Sequence, residues 1–190
     1  RGLVSNPREA APRVLGAFLG FYAGSGGLDG NGGIPDLDLL AAIDAHRSIL
    51  THSFLAGVVA EGTLLAIADL SAQIMNRLPA DHDPLWDGLA KAAAPLTASL
   101  ATGASAGIAY HLLVDALIQP APYHDLPFSM PIEGHQAAMA ASGAAEGVAA
   151  AHGERRAGRL SSCRAARPPN PLVGKLSMVS PPPRPRPKLR

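Results

Sequence analysis

The stretch from Ile34 to Ser53, IPDLDLLAAIDAHRSILTHS, gathers Asp36, Asp38, His46, Arg47, Thr51, His52 and Ser53 into twenty residues of a 190-residue chain. A second stretch, AYHLLVDAL, carries His111 and Asp115 four apart. On a helix that spacing projects the imidazole and the carboxylate from one face, one turn apart. Imidazole nitrogen with carboxylate oxygen suits zinc first, with manganese or iron as alternatives, and a helix fixes the bite of such a pair. Asp36 and Asp38 follow a glycine-rich loop and a proline. On an extended chain, residues two apart face the same way, so this D-x-D can present two carboxylates to one site. The plainer alternative is that Asp36 caps a following helix. Arg47 stands between two imidazoles and suits a phosphate or carboxylate oxygen. Thr51 or Ser53 can cap a helix beginning near residue 53, whose positive end also favours an anion.

Each histidine taken singly is more often a hydrogen-bonded structural residue than a ligand, and it is their grouping with the aspartates that points to a metal. A third cluster, PYHDLPFSMPIEGHQ, adds His124, Asp125, Glu133 and His135. These offer substrate contacts or extra ligands if the proline-rich loop folds back, and otherwise a surface loop and a helix start. His82 reads as a solvent-exposed turn residue, His152 as weaker still, and Trp86 with Leu89 as one helix face packed on the core.

The order D-x-D, then H-R-x-x-x-T-H-S, then H-x-x-x-D on a later helix resembles the bacterial inner-membrane-associated, metal-dependent hydrolases of the LexA-regulated type. The resemblance covers roughly Gly33 to Gln119, and H-R-x-x-x-T-H-S is its most specific part. It implies a helical fold around a polar metal centre. Asp36, Asp38, His46, His52, His111 and Asp115 would be ligands or their immediate supports, and Arg47, Thr51 and Ser53 supporting residues. The helices here are diluted by Ala, Gly and internal acids relative to that family's strongly hydrophobic ones.

The elements that must position these groups read as all-α. Residues 1–154 are rich in Ala, Leu and Gly, without sustained alternation, and suggest a bundle of about five helices near 8–23, 36–46, 52–77, 84–118 and 131–151. Pro84 and Pro131 suit first turns, whereas Pro95 should kink or split the fourth helix. Residues 155–190 hold ten of the 16 basic residues, eight of the 18 prolines and no acid, and read as a disordered basic tail with no fold of its own, or as an out-of-frame C-terminus. The domain is thus 1–154, with six basic residues against 15 acidic ones, which argues against nucleic acid as a partner of this core. One cysteine, Cys163, excludes a disulfide scaffold and a Cys-type zinc site. Neither Phe54–Leu70, interrupted by Glu61 and Asp69, nor Ala92–Tyr110 is strongly apolar enough to be assigned as a span, and no signal peptide is evident. An inner-membrane-associated and a cytoplasmic location therefore both stay open, with a membrane surface as a partner in the first case. Gly57, Gly62, Gly103 and Gly107 permit close helix packing, within one chain or in a homo-oligomer.

Two functions follow. In the first, a metal-activated water attacks an ester or phosphoester of a small anionic, or lipid, substrate, with Asp38 or Asp115 accepting the proton and Arg47 stabilising the charge that develops. In the second, a non-catalytic membrane-associated or scaffold protein uses the same His and Asp residues for a structural metal or a hydrogen-bonded core.

Overall fold

The computed structural model describes residues 7–28, 32–40, 46–79 and 81–165. Among these lie four α-helices, α1 (Pro7–Ser25), α2 (Phe54–Met75), α3 (Pro84–Leu117) and α4 (Ile132–Ala165), and a short 3-10 helix over Pro35–Leu40. The all-α reading holds. The helix expected over 36–46 is instead this 3-10 turn, with 41–45 outside the described residues and 46–50 in turns. Its aspartates bond to neighbouring segments instead of closing a longer helix of their own.

Local chemistry explains the ends. Asp83 caps α3 by accepting the Leu85 N–H at 2.8 Å, with Pro84 in the first turn where no N–H is needed. Ser53, rather than Thr51, caps α2 by accepting from Leu55 N. Pro95 does not split α3, which runs unbroken through it. α4 carries its backbone past Glu154 to Ala165, so the first part of the segment read as a tail is helical; 166–190 lie outside the described residues.

Small residues set the packing. A Cβ at Gly20 would meet the Leu100 carbonyl, and Cβ atoms at Gly103 and Gly107 would meet the Ala17 and Phe21 carbonyls. The α1 and α3 backbones are therefore in direct contact, and the matched order of these pairs makes the two helices parallel. These glycines serve packing within the chain. α4 runs antiparallel to α3, with Gly143 under Ala109 and Gln136 Nε2 donating to the Ala116 carbonyl at 3.0 Å. The short 76–83 connection returns α2 antiparallel to α3 as well. In consequence the C-terminal ends of α1 and α3, the N-terminal ends of α2 and α4, and the described parts of the loops between them meet at one end of the bundle.

Among the described residues the buried apolar core is thin: Ile108, Leu112 and Met139 are its large members, with Ala104, Ala109, Ala116 and Tyr123 around them. Many large apolar side chains face outward instead, among them Phe18 on α1 and Val58, Val59, Ile67 and Leu70 on α2. Trp86 and Leu89 are also substantially exposed, not packed on the core as their spacing suggested. By length and composition alone, α2 and α3 are each long and apolar enough to cross a membrane, although the sequence leaves both unassigned, one for its internal acids and the other for its modest apolarity. Only 11% of the most apolar stretch of α2 is buried, against 56% in α3.

Candidate metal centre

Asp36 and Asp38 sit on the 3-10 helix, where residues two apart do not share a face. The extended-chain expectation fails there, yet both carboxylates reach His52 from opposite sides. The glycine-rich loop makes this geometry. Gly33, with φ +85°, folds the chain so tightly onto Gly26 that a Cβ would clash with backbone, and Ile34 N donates to the Ala23 carbonyl at 2.8 Å. Asp36 Oδ2 accepts from Gly32 N, which turns Oδ1 inward. Asp38 Oδ2 accepts from Ser48 N at 3.0 Å and Thr51 Oγ1 at 2.8 Å.

His52 is fully buried at the end of the 46–52 turn. Its Nδ1 faces Thr51 Oγ1 at 3.1 Å and Asp38 Oδ2 at 3.4 Å, which leaves Nε2 pointing the other way. His111, 1% exposed, is held alike: Nδ1 lies 3.3 Å from the Ser25 carbonyl, which can only accept, so Nδ1 carries a ring proton and Nε2 is turned toward Asp36 and Asp115. Asp115, one turn on as the spacing required, faces both imidazoles.

Four atoms converge. His52 Nε2 stands 3.3 Å from Asp36 Oδ1 and 3.4 Å from Asp115 Oδ2, and His111 Nε2 stands 3.5 Å from each. Among the described residues, none of these four buried atoms has a hydrogen-bond partner. Leaving so many buried polar atoms unpaired costs about 1–3 kcal/mol each, an arrangement that asks for a ligand. Atoms bound about 2.0–2.2 Å from one ion stand about 3.0–3.6 Å from their neighbours at ordinary bond angles, which is the spacing found. Two overlapping triples, Asp36/His46/His52 and His52/His111/Asp115, each have ligand atoms within 4.8 Å of one another. With neutral imidazoles, Asp36, Asp38 and Asp115 against Arg47 leave two negative charges in excess, which one divalent ion cancels.

His46 forms the open rim. Its Nδ1 lies 3.3 Å from Asp38 Oδ1 and 3.6 Å from Asp36 Oδ1, and its side chain is 31% exposed, whereas the other members of the cluster are buried. Arg47 takes a left-handed backbone, φ 64°, uncommon outside glycine. Its guanidinium turns inward, donating from Nη2 to Asp115 Oδ1 at 3.1 Å and from Nη1 to the Gln119 carbonyl at 2.8 Å. It therefore touches the ligand carboxylate from behind. Thr51 supports Asp38 and Ser53 caps α2, while His124 and Glu133 are exposed and stand outside the cluster. His135 is buried but outside it too, with Nδ1 accepting from Tyr123 N at 3.1 Å.

Burial would raise the Asp36 carboxyl, but contacts from His111 and His52 and the Gly32 N–H outweigh it and hold the group well below the ordinary carboxylate range. Asp38 is lowered in the same way, its burial outweighed by Ser48 N–H, Thr51 and His46. Both are thus anionic at neutral pH, as metal-holding carboxylates would need to be.

Sequence reasoning did not single out Tyr123. Its hydroxyl donates to the His52 carbonyl at 2.7 Å, and burial, then Asp115 and Asp125, push the phenol up to about 12, so it stays a donor. Asp125, noted only as a member of the third cluster, accepts the Ile49 N–H on both oxygens, at 2.8 and 3.0 Å. The only signal for either was their place in a proline-rich loop. Comparison of the chain with protein-family models, with curated proteins and with solved structures finds no match.

Proposed function

We propose that this protein is a metal-dependent hydrolase acting on an ester or phosphoester of an anionic substrate, as its resemblance to the LexA-regulated inner-membrane hydrolases implies. The observation that carries the metal is the convergence of four buried candidate ligand atoms, on Asp36, His52, His111 and Asp115, that lack hydrogen-bond partners. A divalent ion, zinc first by donor type, supplies Lewis acidity there, activating water and drawing charge from the scissile group. The chain's own residues do the rest. Ser25 and Asp38 orient the two imidazoles, Arg47 holds Asp115, and His46 stands where substrate and solvent can enter. Because Arg47 is committed to Asp115, stabilisation of a substrate oxygen falls to the ion and the His46 rim. The outward apolar faces of α2 support a location in or on the inner membrane and, with it, a lipid substrate.

A structural metal is the second reading, favoured by four protein ligands that are all buried, since catalytic sites keep a position open. Elemental mass spectrometry on the full chain, with His52→Ala and His111→Ala that stay helical by circular dichroism, tests the centre. About one ion per chain, lost in both variants, supports it; a folded wild type that takes up no metal overturns it. Turnover of phosphoester and ester substrates by the loaded protein, abolished in His46→Ala with metal retained, separates the hydrolase from the structural site.

A further inference from the structure

Three contacts tie the 119–125 segment to the turn that carries His52. The Gln119 carbonyl accepts from Arg47, the Asp125 carboxylate accepts from Ile49 N, and the Tyr123 hydroxyl donates to the His52 carbonyl. They reach the beginning, middle and end of the 47–52 turn. Tyr123 is itself fixed from two sides: its N–H goes to His135 Nδ1, and its ring sits 5.7 Å from the His135 ring, within a core cluster with Ala116 and Met139. His135 and Met139 lie one turn apart on α4, and Ala116 follows Asp115 on α3. The phenol therefore transmits the position of the α3 and α4 ends to the backbone of a ligand that arrives from elsewhere in the chain.

The turn needs such a device. Arg47 holds a left-handed conformation that a non-glycine residue adopts at a cost, and it persists only where surroundings impose it. His52 Nε2 and Asp115 Oδ2 sit on different segments 3.4 Å apart, and the Arg47–Asp115 pair anchors only the start of the turn, five residues before His52. We infer that segment 119–125 is a strap for the metal centre, in which Tyr123 and Asp125 are positioning residues that hold His52 at ligating distance from the His111–Asp115 pair. This rests on the metal reading above. It gives the proline-rich loop a role other than substrate contact or ligation.

The test is titration of the metal-stripped full chain with Co²⁺ alone, followed by its visible absorption, which reports ligand geometry. Tyr123→Phe removes one oxygen and keeps the ring; Asp125→Ala removes an exposed carboxylate whose loss leaves the core intact. Both are expected to bind Co²⁺ about 10–100-fold more weakly than wild type, with shifted bands. Ile108→Val, which loosens the core one turn before His111 without touching the strap, is expected to lower the melting temperature and leave the bands at wild-type positions. If Tyr123→Phe does not fold, Asp125→Ala decides. Wild-type affinity and bands in the folded strap variants overturn the strap while the metal centre stands; a wild type that shows no Co²⁺ bands removes the centre and the strap together.

Discussion

At the scale of residues, the site is a set of commitments made by second atoms. Each imidazole has its Nδ1 engaged, and Asp115 has Oδ1 engaged by Arg47, so that one atom of each remains for the centre. Arg47→Ala should therefore behave as a structural lesion. Removing one partner of a buried ion pair costs about 3–5 kcal/mol, and chemical denaturation should show that loss with metal content falling alongside. An Arg47→Ala protein with wild-type stability and metal but no turnover would restore the substrate-facing role suggested by the sequence. The depressed carboxylates fix the sign of a pH effect. Asp36 and Asp38, lowered in the folded chain, contribute stability above about pH 4, where the unfolded carboxylates are ionised, and that contribution is lost as pH falls toward their folded values. Thermal melts of the metal-free chain should fall below that pH, less steeply in Asp38→Asn. Metal uptake should also weaken as pH falls, because an imidazole must be neutral to ligate.

At the scale of elements, what the sequence revealed follows from which periodicities apply. His111 and Asp115 were legible because a helix converts a spacing of four into a shared face. Asp36 and Asp38 were legible as types but not as orientations, since the 3-10 helix replaces the period assumed for them. The sequence assigns Arg47 to the substrate and Tyr123 to nothing, because their actual partners lie 68 and 71 positions away and include bare carbonyls, which no side-chain pattern marks. The glycines offer a matched test of the helix interfaces. Gly103→Ala places a methyl against the Ala17 carbonyl backbone and should cost about 1–3 kcal/mol, whereas Gly62→Ala, with open space around it, should stabilise α2 by about 0.5–1 kcal/mol. Equal effects in thermal melts would mean that α1 does not lie where its glycines put it.

At the scale of the whole molecule, an all-α architecture was readable from composition and the lack of alternation, whereas the gathering of its polar groups at one end and the outward direction of its apolar side chains were not. Hydrophobicity alone does not say which face a helix hides, and α2 hides almost none of its own. Full-length protein should accordingly partition with membranes and need detergent for release; recovery in the soluble fraction would count against that placement. One feature of the centre reaches beyond its chemistry. Its four candidate ligand atoms come from segments that span Asp36 to Asp115, so an ion held by them would be a cross-link enclosing about 80 residues, comparable in loop length to a long-range disulfide worth on the order of 4 kcal/mol. Chelation should then open the chain mechanically as well as chemically, exposing residues 46–53 and 118–131 to proteases that leave them uncut in the loaded protein. On this view the ion fastens a bundle whose apolar core is too thin to close that end by itself.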